Sequence, residues 1–281
     1  MKRVILVVLL VGIAGIAGIV RSHCKTTEGQ QLPASSGSTN TDTREEIRKT
    51  VELSPGARVE VSGINGAVKI ETSTSQTAEI YVERTGAGRE VLERRKVLID
   101  SNSDSLRIHG EKGDAGFFAR LFGSNPTERV TLKLPRRISL VTNGVNGSVI
   151  VGEVDGPVEV HGINGKVEIG QALGSAEFKG INGNIAVSLK DVTKEGVTIT
   201  GVNGNIELRL SEGLNAELEA HGMNGRVVSD LSDVVIEKER HGSYLAHVGS
   251  GGNSINANGI NGNIRLTRAT GTSTTEATEE Q

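Results

Sequence analysis

One octapeptide, rewritten seven times, limits what this chain can become more than any other feature of its sequence. The copies are GINGAVKI from Gly63, GVNGSVIV from Gly144, GINGKVEI from Gly162, GINGNIAV from Gly180, GVNGNIEL from Gly201, GMNGRVVS from Gly222 and GINGNIRL from Gly259. Their asparagines, Asn65, Asn146, Asn164, Asn182, Asn203, Asn224 and Asn261, follow one another at gaps of 81, 18, 18, 21, 21 and 37 residues. A period near 20 is the mark of a repeat architecture, in which each unit is one supersecondary element stacked on the next. The difference between 18 and 21 fits an inserted loop such as LKDVTKEG, residues 189–196. The gap of 37 is close to twice 18, and the gap of 81 must hold degenerate turns.

Each copy is bracketed by short alternating runs, as in PVEVHG before Asn164 and KVEI after it, which read as two strands per repeat. Asn-Gly between such runs is the strongest short hairpin signal, so an antiparallel meander is one arrangement. The other is a solenoid, in which Asn-Gly turns a corner and each strand pairs in parallel with the next coil. The residue before the asparagine separates them: Ile64, Val145, Ile163, Ile181, Val202, Met223 and Ile260 are all apolar. A hairpin would pair Ile163 with Lys166 and expose seven aliphatic side chains on the wrong face. A corner lets the residue turn inward. The expected fold is therefore all-β: a single-domain, parallel β-helix-like solenoid over residues 44–268, with coils of 18–21 residues.

In that arrangement the motif glycines supply backbone angles that a Cβ obstructs, and asparagine tolerates a left-handed turn. Asparagines repeated at the strand spacing of about 4.8 Å form a hydrogen-bonded ladder. The seven motif asparagines are thus expected to be a structural corner column rather than a ligand site.

The core must be aliphatic, because 281 residues contain four Phe, two Tyr and no Trp, against 37 Gly and five Pro. Net charge is -3 with both signs interspersed, which offers no basic face for phosphate backbones, so nucleic acid is not an expected partner. Lys2 and Arg3 followed by an apolar run over residues 4–20 read as an export signal. Residues 1–22 are expected to be a signal peptide or an N-terminal membrane anchor, since the run is long for a signal core and no A-x-A site follows it. Cys24, the single cysteine, follows Arg21, Ser22 and His23 and so reads as an unmodified thiol; no intrachain disulfide is possible. Residues 23–43 and 269–281 are small and polar and read as a disordered linker and tail. The expected location is extracytoplasmic, in the periplasm or cell envelope, with the membrane a partner through residues 4–20 if they are retained.

The stretches VELSPGARVEVSGINGAVKIETS, VTLKLPRRISLVTNGVNGSVIVGEVDGPVEVHGING and GSYLAHVGSGGNSINANGINGNIRL carry a family resemblance. The chain resembles the bacterial putative-adhesin domain, related to the domain named after its Gly-Ile-Asn motif in auto-transporter adhesin heads. The resemblance covers most of residues 46–268. It implies a β-helical, extracytoplasmic protein and supplies no catalytic residue.

Chemistry is sparse. His161 and His221 share the position before the first motif glycine; on coils stacked in chain order they lie three steps and about 14 Å apart, too far to share a metal. His241 and His247 lack an acidic or cysteine partner at ligand spacing and read as solvated. The column Lys69, Ile150, Glu168, Ala186, Glu207, Val228 and Arg265 mixes sign and type, so it builds no carboxylate pair for glycoside cleavage. No cofactor or metal is expected, and no enzyme. Phe117, Phe118 and Phe122 crowd into GDAGFFARLFGSNP, which reads as a loop capping the stack or, alternatively, meeting a partner. The expected function is a non-catalytic, adhesin-like or regulatory module binding an envelope protein or polymer; the alternative is a carbohydrate-active β-helix enzyme.

Overall fold

The structure, a computed structural model, describes residues 42–112, 125–239 and 242–269. Phe117, Phe118, Phe122, His241, Cys24 and the apolar run 4–20 lie outside the described residues. Within the described residues, β1 (Thr43–Glu52), β2 (Ala57–Ser62), β3 (Gly66–Ser73) and β4 (Thr77–Gly86) precede a one-turn helix, α1 (Arg89–Glu93). Then come β5 (Arg95–Ser101), β6 (Ser105–Lys112), β7 (Thr127–Pro135), β8 (Ile138–Asn143), β9 (Val149–Val154), β10 (Val158–His161) and β11 (Val167–Ala172). The rest are β12 (Ala176–Asn182), β13 (Ile185–Leu189), β14 (Val197–Asn203), β15 (Ile206–Leu210), β16 (Ala216–His221), β17 (Val227–Ser229), β18 (Val234–Lys238), β19 (Tyr244–Val248), β20 (Asn253–Asn261) and β21 (Ile264–Arg268).

These strands make an all-β protein of two large open sheets. The first has ten strands in the order β1-β4-β7-β3-β9-β11-β13-β15-β21-β17, and the second has eleven in the order β18-β19-β16-β20-β14-β12-β10-β8-β2-β6-β5. The strands on either side of each motif belong to different sheets: β10 enters Asn164 from the second sheet and β11 leaves it in the first. Asn-Gly therefore joins two layers and does not close a hairpin. Ile64, Val145, Ile163, Ile181, Val202 and Ile260 are at most 2% exposed, and Met223 is 8% exposed.

Period-2 alternation sends every second side chain into the space between the sheets. Val167, Ile185, Ile206 and Ile264 line up across the first sheet, and Val158, Ala176, Val197 and Ile255 across the second, all in parallel register. These belong to one contiguous aliphatic core, in which Phe178 is the largest fully buried side chain. β-branched residues suit such closely spaced layers, and they bury apolar area with little loss of rotamer freedom.

Two features depart from coils stacked in chain order. β4, β5 and β19 run antiparallel to their neighbours. The 81-residue gap holds β4 to β7, and these lie on the outer side of Asn65 while Asn146 stacks directly on it. No motif occurs between residues 67 and 143, yet β6 and β7 still lie parallel to β2 and β3 in the two sheets, as a degenerate rung, while β4 and β5 reverse direction. The 37-residue gap is not two turns either. The chain leaves β16 and β17, makes the antiparallel pair β18–β19, and returns to insert β20 between β14 and β16, and β21 between β15 and β17. The inserted copy matches the rung it joins: Val202 meets Ile260, and Asn205 accepts hydrogen bonds from Asn263.

Candidate interaction surface

At the motif corner the asparagine side chains form a continuous chain of amide hydrogen bonds. Asn224 donates to Asn261 (3.0 Å), Asn261 to Asn203 (2.9 Å), Asn203 to Asn182 (3.1 Å), Asn182 to Asn164, Asn164 to Asn146 and Asn146 to Asn65 (each 3.0 Å). The spatial order is thus 65, 146, 164, 182, 203, 261, 224. Every one of these amides points the same way.

Both glycines of the motif are needed, for different reasons. The first sits at positive φ, +62° at Gly162 and +66° at Gly180, where an L side chain is strained. The second lies against the rung below: a Cβ on Gly183 would stand 2.2 Å from the Gly165 carbonyl oxygen. The corner column is therefore bare backbone between asparagines.

The ladder's donor end is closed by residues that the motif does not contain. Asn65 has no preceding asparagine; its side-chain amide donates to the Pro126 carbonyl at 2.8 Å, and its backbone N–H to Glu128 Oε2 at 2.9 Å. Glu128 stands opposite Gly66 in parallel register, is fully buried, and pairs with Arg95 at 3.2 Å. Nothing in the sequence pattern marks Glu128, because its position follows from the pairing of β7 with β3 and from no local motif.

A second, shorter ladder is a feature that the sequence reading missed. Asn184 Oδ1 accepts the Asn205 backbone N–H at 2.9 Å, Asn205 Oδ1 accepts that of Asn263 at 3.0 Å, and Asn263 Oδ1 accepts that of Arg226 at 3.1 Å. The signal is in the chain: three copies read G-x-N-G-N, with a second asparagine two residues after the first.

His161 and His221 are further apart than the chain-order expectation. The register runs His161, Lys179, Thr200, Asn258, His221, four strand steps or about 19 Å. His247 does have an acidic neighbour, Glu217, at 3.1 Å across the β16–β19 pair. Antiparallel pairing supplies a contact that residue spacing does not reveal. Among the described residues, no three His, Cys, Asp or Glu side chains gather as a metal site.

The column on the outer face of the first sheet reads Lys69, Ile150, Glu168, Ala186, Glu207, Arg265, Val228 in space. Its carboxylates are bridged by cations: Lys166 lies 2.6 Å from Glu168, and Arg209 lies 3.6 Å from Glu168 and 3.2 Å from Glu207. The Lys166 hydrogen bond, aided by the Lys166 and Arg209 charges, holds the Glu168 carboxyl below its ordinary range despite partial burial. A glycoside general acid needs the opposite shift. Glu71, hydrogen-bonded to Lys69, is likewise lowered.

No family model and no curated protein matches the chain. Solved structures do resemble it loosely. A putative cell adhesion protein from Clostridium sporogenes is 14% identical, with 80% of this chain and 100% of that chain covered at a TM-score of 0.39. A putative adhesin from Bacteroides fragilis is 11% identical over 79% and 97% of the two chains at 0.34. A putative lipid binding protein from Parabacteroides distasonis is 12% identical over 80% and 95% at 0.26. Likenesses at these scores carry no functional argument, and the relation to the Gly-Ile-Asn domain rests on the sequence motifs alone.

Proposed function

We propose that the chain is a non-catalytic β-solenoid of the bacterial envelope, held outside the cytoplasm, that binds another macromolecule along its evenly spaced surfaces as an adhesin-like or regulatory module. The observation that carries this reading is the parallel register of the motif rungs. Side chains on neighbouring strands recur at about 4.8 Å, and an extended partner can meet many of them through weak contacts that add along its length. The partner is an envelope protein or polymer. The charge-bridged carboxylates Glu168 and Glu207 favour this reading over a carbohydrate-cleaving enzyme. Lys2 and Arg3 ahead of the apolar run orient the chain beyond residue 20 away from the cytoplasm, with residues 4–20 removed or kept as an anchor.

The test is capture of partners from envelope extracts, with the full chain and with residues 113–125 deleted, beside fractionation and N-terminal sequencing of the mature protein. A retained envelope component supports the proposal. Cleavage of a polysaccharide by purified protein, with nothing retained, overturns it in favour of the enzyme.

A further inference from the structure

We infer that the three rungs carrying both asparagine ladders form a binding strip for an uncharged, hydroxyl-rich polymer, a neutral polysaccharide. The inference rests on the binding-module reading and names its partner and its place. The rungs are Asn182 with Asn184, Asn203 with Asn205, and Asn261 with Asn263, and all six side chains are exposed. They are consecutive in space although the third is 58 residues from the second in the chain, because β20 and β21 insert beside β14 and β15.

The hydrogen-bond arithmetic of the strip points to its ligand. An asparagine amide has two N–H donors and a carbonyl with two lone pairs. In the first ladder Asn182 and Asn203 each spend one donor and one lone pair on their neighbours. One of each is left over on a side chain that is exposed. In the second ladder Asn184 and Asn205 spend carbonyl lone pairs on backbone N–H groups, Asn205 also accepting from the Asn263 side-chain amide at 3.4 Å, and the amide donors of Asn184 and Asn205 remain. The strip thus presents donors and acceptors together, at fixed orientation and about 4.8 Å intervals. A hydroxyl both donates and accepts, so a chain of sugar hydroxyls can use both kinds of group. The ladder bonds hold the rotamers in advance, which lowers the entropy lost on binding.

Access and charge agree with this ligand. Gly183, Gly204 and Gly262 separate the two asparagines on each rung, and a Cβ there would lie 2.1–2.2 Å from a carbonyl of the adjacent rung, so no side chain stands between the ladders. The strip itself carries no formal charge. At its borders Glu207 faces Arg265 across neighbouring strands on one side, with Lys179 on the other. Lys166, ion-paired with Glu168 at 2.6 Å, and Arg226 stand singly at the two ends of the second ladder's column, so a polyanion meets separated cations and no run of them along the strip.

The experiment is co-sedimentation of the full chain with insoluble cellulose, xylan and starch, and affinity electrophoresis against soluble polygalacturonate. Wild type should bind at least one neutral polymer, with little dependence on salt, and polygalacturonate weakly or not at all. Asn205→Asp keeps an oxygen for the Asn263 N–H but removes the amide donors and adds charge; it should retain its melting temperature within a few degrees and lose binding by about tenfold. Asn184→Asp should behave alike, whereas Lys69→Ala, away from the strip, should bind as wild type. Absence of binding to every neutral polymer, preference for polygalacturonate, or undiminished binding by folded Asn205→Asp and Asn184→Asp overturns the inference. Capture of an envelope protein equally by wild type and Asn205→Asp, with no polysaccharide bound, also overturns it while leaving the broader binding reading intact.

Discussion

Asn261 hydrogen-bonds to Asn203 at 2.9 Å although 58 residues separate them, and Asn224, which precedes Asn261 in the chain, stacks on its other side at 3.0 Å. The last motif copy is threaded between two earlier ones. Its rung therefore needs the excursion through β18 and β19 to have been made before it can dock. Loop closure over such distances is slow relative to local contacts. Hydrogen-exchange labelling during refolding should show Asn203 to Leu210 protected later than Val167 to Ala172; simultaneous protection would contradict that order.

The inward aliphatic column carries the stability. Ile181 is 1% exposed between Ile163 and Val202, so Ile181→Ala should cost about 2–4 kcal/mol through lost burial and a cavity. Lys179, exposed two residues earlier, should tolerate Ala within about 0.5 kcal/mol. Chemical denaturation midpoints at constant slope would compare the two.

Glycine substitutions should divide by what the new methyl meets. Gly183→Ala drives a Cβ into a backbone carbonyl and should cost about 2 kcal/mol or more, since the rungs must move apart. Gly213, with φ of +74° and open space for 4 Å around an added methyl, should lose only about 1 kcal/mol as Ala, from the left-handed backbone alone. Equal losses at the two positions would argue against the close rung contact.

Glu128 caps the backbone of the first motif corner from inside the protein, beside the Pro126 carbonyl that takes the last amide of the ladder. Glu128→Ala leaves the Arg95 guanidinium without its carboxylate and the Asn65 N–H without its acceptor, and should cost about 3–5 kcal/mol. The Asn65 amide should then exchange with solvent far faster than the Asn164 amide, whose acceptor is the Val145 carbonyl.

Acid sensitivity should involve the charged face of the first sheet. The Lys166 hydrogen bond depresses the Glu168 carboxyl in the folded state, so its contribution is present above the ordinary glutamate range and is lost as pH falls through the depressed value. The stability gap between wild type and Glu168→Gln should accordingly be present at neutral pH and shrink on acidification. A gap that widens in acid would reverse the assigned sign.

The sequence alone determined the local geometry of each repeat. Glycine, an apolar residue, asparagine and glycine in that order dictated a corner whose aliphatic residue turns inward, because Ile163 and its equivalents have no other way to leave water. Alternation in runs such as Val158–Val160 and Val167–Ile169 likewise dictated which faces are buried. What tertiary structure decided is the order in which the rungs stack and what closes them. Seven nearly equivalent copies offer nearly equivalent partners; the second asparagine shared by residues 180–187, 201–208 and 259–266 groups these three copies but does not record that the last sits between Gly201 and Gly222. The choice follows from packing Ile260 against Val202 and Asn263 against Asn205. Glu128 became the acceptor of the Asn65 N–H, and His247 the neighbour of Glu217, for the same reason: pairing between distant strands fixes these contacts, and strand pairing carries no signature within either strand.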